Sequence, residues 1–460
     1  VAFDALLLSR LQWVWVISWH ILLPAFTVGL ASYIAVLEGA AFFTGAQIWV
    51  RLSAFWTRIF AVSFGMGVVS GIVMPFQIGT NWSRFSDTTA NVLAPLLAYE
   101  GLTAFFLEAS FLGVLLFGRK LVPRWIHFFA GIMVAAGTLF STFWILSVNS
   151  WMQTPAGFHI TDGRFFPDDW WKVIFNPSFP YRYVHNVNAF YITTGFVVLG
   201  VGAWLLRRRR SVDEARLMIR MALYLLVVLI PLQMVLGDLH GLNTREYQPA
   251  KLAAIEGAYD TESPAPLTLF GIPDDTTGTM HDAIRIPMLG SLLLTHSLDG
   301  EIKGINSFPP DQRPPVAIPF FGFRIMVGIA IVMLGVAVAG LTLQAKGRLD
   351  GSIRFLRLCE WTAPLGFVAV IAGWMATEVG RQPWTVYGVL RTAQSVTPSL
   401  TTLDVGISLA LYVAVYLIMF PTGFAFMAGI VRRGCDAATE APAPVQAGRT
   451  VTPYLTPAGE

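Results

Sequence analysis

Nine apolar runs, most of them longer than the roughly 20 residues that carry a helix across a bilayer core, decide what this chain can fold into. They cover approximately residues 11–38, 52–78, 92–118, 125–149, 184–206, 217–240, 317–342, 360–380 and 403–430. Lipid offers the backbone no hydrogen-bond partners, so only helices and closed barrels can span it. The runs are continuous rather than alternating ten-residue segments, which excludes a barrel. Charged residues make up 13% of the chain and hydrophobic ones 55%; a soluble domain carries about 25% charged residues. The expected fold is therefore all-α and polytopic, with nine transmembrane helices. The only cysteines, Cys359 and Cys435, cannot build a four-thiolate cluster, and there is no C-x-x-C-H for covalent heme attachment. The N-terminus shows no cleavable signal pattern, so the first run is expected to serve as its own insertion signal.

Arginine and lysine in the connections set the orientation. "GRKLVPR" (118–124), "RRRRSVDEARLMIR" (207–220), Lys346, Arg348, Arg354, Arg357, Arg432 and Arg433 all fall on one side of a nine-span chain. That side is expected to be cytoplasmic, with the N-terminus outside and the C-terminus inside. The expected organisation is helices one to six in 1–240, an outer loop in 241–316, helices seven to nine in 317–432 and a mobile Ala/Pro/Thr-rich tail in 433–460.

Ionisable groups at membrane depth are costly and usually have a task. His20 lies about ten residues, or roughly 15 Å, into the first run. Glu100 and Glu108 lie in the third, His185 opens the fifth, and Arg324 and Met326 open the seventh. The eighth ends in "AGWMATEVGRQPWTVYG", with Trp374, Glu378 and Arg381. This topology places His20, His185, Met326 and Glu378 in the outer half of the membrane. Imidazole and thioether are axial donors for heme iron, a carboxylate is a weaker-field donor, and arginine pairs with propionates. Blander readings stand beside this one. A membrane histidine can simply join two helices, a methionine can be packing, and Glu378 with Arg381 can be an i, i+3 ion pair. His127 is expected at the interface; His159, His240, His281 and His296 are expected to be solvated or structural. The residues taken singly leave a redox protein and an ion-handling transporter both open.

The combined motifs go further. "GWMATEVGRQPW" (373–384) resembles the GWxxxExGRQPW signature of subunit I of cytochrome bd-type quinol oxidases. "SRLQW" (9–13), "HILLPAFTVGLA" (20–31), "FGMGVVSGIVMPFQIGTNW" (64–82), "EGLTAFFLEASFLG" (100–113), "SVNSWMQTPAGF" (147–158) and "KLAAIEG" (251–257) also resemble segments of that family. The resemblance implies two four-helix bundles plus one peripheral helix. It implies two heme b groups, one low-spin and one high-spin, and one heme d. His185 and Met326 would ligate low-spin heme b, with Arg324 supporting it electrostatically. His20 would ligate heme d and Glu378 high-spin heme b, with the swapped arrangement open. Trp374 would pack between hemes, and Arg381 would hold propionates or Glu378. Lys251 and Glu256 would serve quinol oxidation in the outer loop. Glu100 and Glu108 would be stations on a proton path; on a uniform helix they stand about 12 Å apart along the axis and about 80° apart around it.

The implied activity is quinol oxidation at the outer face and reduction of dioxygen to water, generating proton-motive force without a pump. Implied partners are quinol, dioxygen, a second membrane subunit of related fold and a single-helix small subunit, in a bacterial cytoplasmic membrane. A relative with b-type hemes at all three sites fits the same motifs. One departure stands out: after "KLAAIEG" the loop runs only to about residue 316, the short-loop type.

Overall fold

The computed structural model describes residues 4–435; the expected mobile tail lies almost wholly outside these residues. Among them are nine helical spans long and apolar enough to cross a membrane, so the expected count holds. Most outrun their apolar runs at one or both ends, because a helix continues into the interfacial layers wherever its last carbonyls still find donors.

The first span is α1 (Ala5–Leu22) and α2 (Pro24–Thr44). Asp4 caps α1 by accepting from Leu7 N at 2.7 Å. Pro24 lacks an N–H and takes the first position of α2, so the helix bends there without stopping. The second span is α3 (Gln47–Thr80). The third is α4 (Ser83–Tyr99), one π-helical turn at Glu100–Phe105, and α5 (Phe106–Phe117). The fourth is α6 (Arg124–Gln153), followed by the antiparallel hairpin β1 (Phe158–Thr161) and β2 (Arg164–Pro167) and by the short α7 (Trp170–Ile174). The hairpin turns on Asp162 and Gly163, both at positive φ (50° and 75°), the geometry that two-residue hairpin turns require. The fifth and sixth spans are α8 (Phe179–Arg207) and α9 (Val212–Tyr247).

The long segment between α9 and the seventh span is structured. It holds α10 (Pro249–Glu256), the hairpin β3 (Leu267–Asp274) and β4 (Thr279–Ile286), and α11 (Leu289–Thr295). The seventh span is α12 (Ala317–Ala345), and the eighth is α13 (Ile353–Thr362) with α14 (Leu365–Val379). Hairpin β5 (Trp384–Val386) and β6 (Leu390–Arg391) and the short α15 (Thr392–Ser395) lead to the ninth, α16 (Thr402–Arg433). Thr401 and Asp404 form a reciprocal capping box at the start of α16.

The spans pack as two rings of four. α1–α2, α3, α4–α5 and α6 form one; α8, α9, α12 and α13–α14 form the other. α16 lies outside, against α1 and α3, and α2 and α6 join the rings through α8. Helices in lipid gain little from hydrophobicity and approach through small residues. A Cβ on Gly29 would overlap Thr194 Oγ1 across the α2–α8 seam, and one on Gly200 would lie 2.6 Å from Ala363 Cβ.

The two ends of the molecule differ. At the basic end Arg207 pairs with Glu360 (2.6 and 2.8 Å), Arg216 with Asp350 (2.7 Å) and Arg51 with Glu214 (2.6 Å). The three hairpins and α10 gather at the other.

Candidate functional site

Glu378 occupies the last turn of α14. Arg381, three residues on, places Nη2 2.5 Å from Glu378 Oε2, so the i, i+3 ion pair exists. The other carboxylate oxygen accepts from Asn149 Nδ2 at 2.9 Å and Gln153 Nε2 at 3.1 Å. Asn149 and Gln153 are i, i+4 on α6, hence one above the other on a single face.

The amide of Gln153 has a second side. Its Oε1 accepts from Lys251 Nζ and from Gln248 Nε2 at 3.1 Å. Lys251 Nζ also donates to Gln248 Oε1 at 2.7 Å. One buried glutamine thus joins α10, in the segment between the sixth and seventh spans, to the carboxylate of α14. Lys251 is 2% exposed. Burial, reinforced by the positive charges of Arg182 and Arg381 and opposed by Glu378, holds its amine well below the usual lysine range.

The candidate iron donors stand at helix crossings. His185, on α8, lies against α9: Gln233 Nε2 is 3.1 Å from both His185 Nε2 and its carbonyl. The His240 ring is 5.5 Å away, edge-on. Met326, on α12, has its sulfur where a Cβ on Gly373 of α14 would be 2.5 Å off. Both α8 and α12 pack against α9 and α14. His20 accepts from or donates to Ser70 Oγ at 2.9 Å, and a Cβ on Gly71 would lie 3.1 Å from its ring.

These residues fit heme. The Met326 sulfur and the His20 ring each face a glycine of a neighbouring helix where a methyl would crowd them, and the His185 ring faces Gly237 at ordinary contact distance. His185 Nδ1 is buried without a hydrogen-bond partner, and so are Arg381 Nε and Nη1 and Arg182 Nε. Unpaired buried guanidinium N–H groups are costly, and a propionate is the kind of group that satisfies them. Trp374 is half-buried one turn before Glu378. Of the described residues, no His, Cys, Asp or Glu trio forms a site for a bare metal ion.

Arg324 is turned toward α10 and β3. Its guanidinium donates to the carbonyls of Ile255 (2.7 Å), Glu256 (3.3 Å) and Thr268, and lies 3.6 Å over the Phe320 ring. Nη2 is 3.8 Å from Glu256 Oε2. Arg324 therefore staples α10 and β3 to α12 two residues before Met326. Glu256 is 6% exposed. Burial raises its carboxyl above the usual range, with Arg324 pulling the other way.

Glu100 and Glu108 both lie against α6. Glu100 accepts from Ser141 Oγ at 2.8 Å. Glu108 is 7% exposed, its Oε1 has no partner, and a Cβ on Gly137 would be 2.5 Å from its Cγ. The π turn at Glu100–Phe105 lies between them. A π turn takes more residues than an α turn, so the 80° offset expected for a uniform helix does not apply.

Several participants escaped the sequence. Gln248 and Arg182 gave no signal, since amides and arginines are common at helix ends. Asn149 and Gln153 share one face in "SVNSWMQ", which could have singled them out. His240, expected to be solvated or structural, lies beside His185. His127, expected at the interface, is instead 3% exposed inside the first ring, because Glu38 and the end of α5 both draw it in.

The family model described as cytochrome bd terminal oxidase subunit I matches residues 8–435. The chain is 33% identical over 424 residues to cytochrome bd ubiquinol oxidase subunit 1 of Bacillus subtilis (strain 168), covering 90% of this chain and 91% of the relative. It is 31% identical to cytochrome bd-II ubiquinol oxidase subunit 1 of Escherichia coli (strain K12), covering 94% and 98%. The solved structure of bd oxidase from Geobacillus thermodenitrificans superposes with a TM-score of 0.87 at 31% identity, covering 94% of this chain and 99% of that one. This integral membrane protein belongs to the cytochrome bd terminal oxidase subunit I family.

Proposed function

We propose that the chain is the heme-bearing subunit of a quinol:dioxygen oxidoreductase, with quinol oxidised at the hairpin-bearing end. The observation that carries this reading is the Gln153 amide, held by Lys251 on one side and by Glu378 on the other. It links the residues assigned to quinol oxidation to those assigned to iron. The basic end is the cytoplasmic one by the distribution of arginine and lysine.

When bound, the hemes supply reversible one-electron storage and the iron at which dioxygen is reduced. The cofactors we assign are two heme b and one heme d. His185 and Met326 would be the donors to low-spin heme b, His20 to heme d and Glu378 to high-spin heme b. The unpaired N–H groups of Arg381 and Arg182 would hold propionates, and Trp374 would pack against the bound groups.

Two quinols release four electrons and four protons; one dioxygen takes up four of each and gives two waters. Glu256, buried and with a raised affinity for protons, is the base that accepts a proton from quinol. Lys251, its affinity for protons lowered by burial, donates hydrogen bonds to Gln153 and Gln248. Arg324 holds the backbone of α10 so that both side chains keep their places. Glu108 and Glu100, along α6, pass protons from the basic end toward the heme layer. Protons leave on one side and are taken up on the other, so proton-motive force arises without a pump. The partners in this reading are quinol, dioxygen, a second membrane subunit of related fold and a single-helix small subunit.

The test is quinol-driven oxygen uptake by purified wild-type and Glu378→Ala protein, with heme content and reduced-minus-oxidised spectra for both. The expected result is uptake by wild type, loss of one high-spin heme in the variant, and a far-red chlorin band. Full activity with full heme in Glu378→Ala overturns the ligand assignment. A missing far-red band overturns heme d in favour of three b-type hemes.

A further inference from the structure

The first ring contains a buried ionisable cluster that the reading above does not use. Glu38 of α2 is 4% exposed and His127 of α6 is 3% exposed. Glu38 Oε2 is 2.8 Å from His127 Nδ1. The other carboxylate oxygen accepts from Ser53 Oγ on α3 and from Arg119 just after α5. His127 Nε2 is 3.1 Å from the carbonyl of Leu115. That carbonyl is one of the last four of α5, which lack partners within their own helix.

These contacts constrain the protons. A carbonyl oxygen can only accept, so Nε2 carries a hydrogen. Nδ1 faces a carboxylate oxygen at hydrogen-bond distance, so a second proton lies between them, on the ring or on Glu38. The pair therefore holds one proton beyond a neutral histidine and a carboxylate. Arg119 is the other charge on the cluster, and its side chain is 29% exposed, so it reaches the aqueous rim of the basic end.

Helix α6 orders this pair with the acids already assigned. A Cβ on Gly131 would be 3.5 Å from Glu38 Cγ, Gly137 backs Glu108, and Ser141 holds Glu100. Positions 131, 137 and 141 are about 9 Å and about 6 Å apart along the helix. His127, Glu38, Glu108 and Glu100 thus follow one helix from the basic rim inward.

We propose that Glu38 and His127 form the proton-loading site that feeds Glu108, resting on the quinol oxidase reading. Arg119 neutralises Glu38 when the shared proton has moved on, and Ser53 keeps the carboxylate in place.

The experiment uses the complete multisubunit enzyme. In flow-flash measurements with dioxygen, Glu38→Gln is expected to slow the proton-coupled late phase at least tenfold, with heme content and anaerobic heme reduction by quinol unchanged. Glu38→Asp keeps a carboxylate and should stay within about threefold of wild type. An unchanged late phase in Glu38→Gln overturns the proposal. So does equal damage to heme content and anaerobic reduction in both variants, which marks a purely structural role. Infrared difference spectra of the resting protein between acid and neutral pH read the shared proton without turnover. A deuterium-sensitive band present in wild type and absent in Glu38→Gln supports the pair; its absence from wild type overturns it. Wild type lacking both heme and quinol-driven oxygen uptake would instead sink the oxidase reading, and the infrared result still decides the pair.

Discussion

Gln153 does with one amide what two charged residues could not do in a buried place. Its N–H donates to the Glu378 carboxylate while its oxygen accepts from Lys251. A buried partner left unsatisfied costs about 1–3 kcal/mol, or roughly 5- to 150-fold in a rate. Gln153→Leu should therefore lower kcat for quinol oxidation by about 10- to 100-fold while heme content stays near wild type. Stopped-flow heme reduction against quinol concentration measures this. Glu256 predicts a pH effect of definite sign. A base must be unprotonated to accept, and its affinity for protons is raised by burial. The rate of quinol oxidation should fall as pH drops through that raised value, on the alkaline side of an ordinary carboxylate. Glu256→Gln should be slow and flat across the same range, which a pH profile of kcat/KM at saturating dioxygen would check.

Among the elements, the segment between α9 and α12 owes its order to a residue outside it. Arg324 on α12 binds carbonyls from both α10 and β3. Hydrogen bonds to a charged group contribute about 1.5–3 kcal/mol each. Arg324→Leu should loosen residues 255–268, raising amide exchange there by about 10- to 100-fold. The spanning helices should keep their protection, as mass spectrometry of the exchanged protein would show. The third span makes a different point. Its apolar run reads as one helix, yet a π turn at Glu100–Phe105 interrupts it where Glu100 meets Ser141. Such turns often mark functional positions, and here the turn sets which face α5 presents to α6.

For the whole molecule, the joint between the two rings is a seam of small residues. Gly29 of α2 meets Thr194 of α8 with no room for a methyl. Gly29→Val should separate the rings locally, lowering the thermal transition of the purified protein by several degrees and reducing bound heme; a thermal melt with a heme assay checks both. The basic connections share one end and the hairpins the other. A reporter active only in the cytoplasm should work when fused after Arg433, and one active only outside should work in the 158–167 hairpin.

By itself the sequence determined the element type, the number of spans and their alternation. Those follow from length and hydropathy, and a bilayer leaves the backbone no cheaper solution than helix. The single-sidedness of the basic connections was legible for the same reason. His20, Glu100, Glu108, His185, Arg324, Glu378 and Arg381 were visible because polar groups in apolar runs are conspicuous, whereas Met326 and Trp374 were singled out by the family resemblance. Only the tertiary structure decided which of them meet, and through what. Gln153 lies 98 residues from Lys251 and 225 from Glu378, and no local spacing encodes such contacts. His127 was expected at the interface, and only helix packing buries it against Glu38, 89 residues away. Burial is a property of neighbours supplied by other helices, so it reaches the page only when those helices are in place.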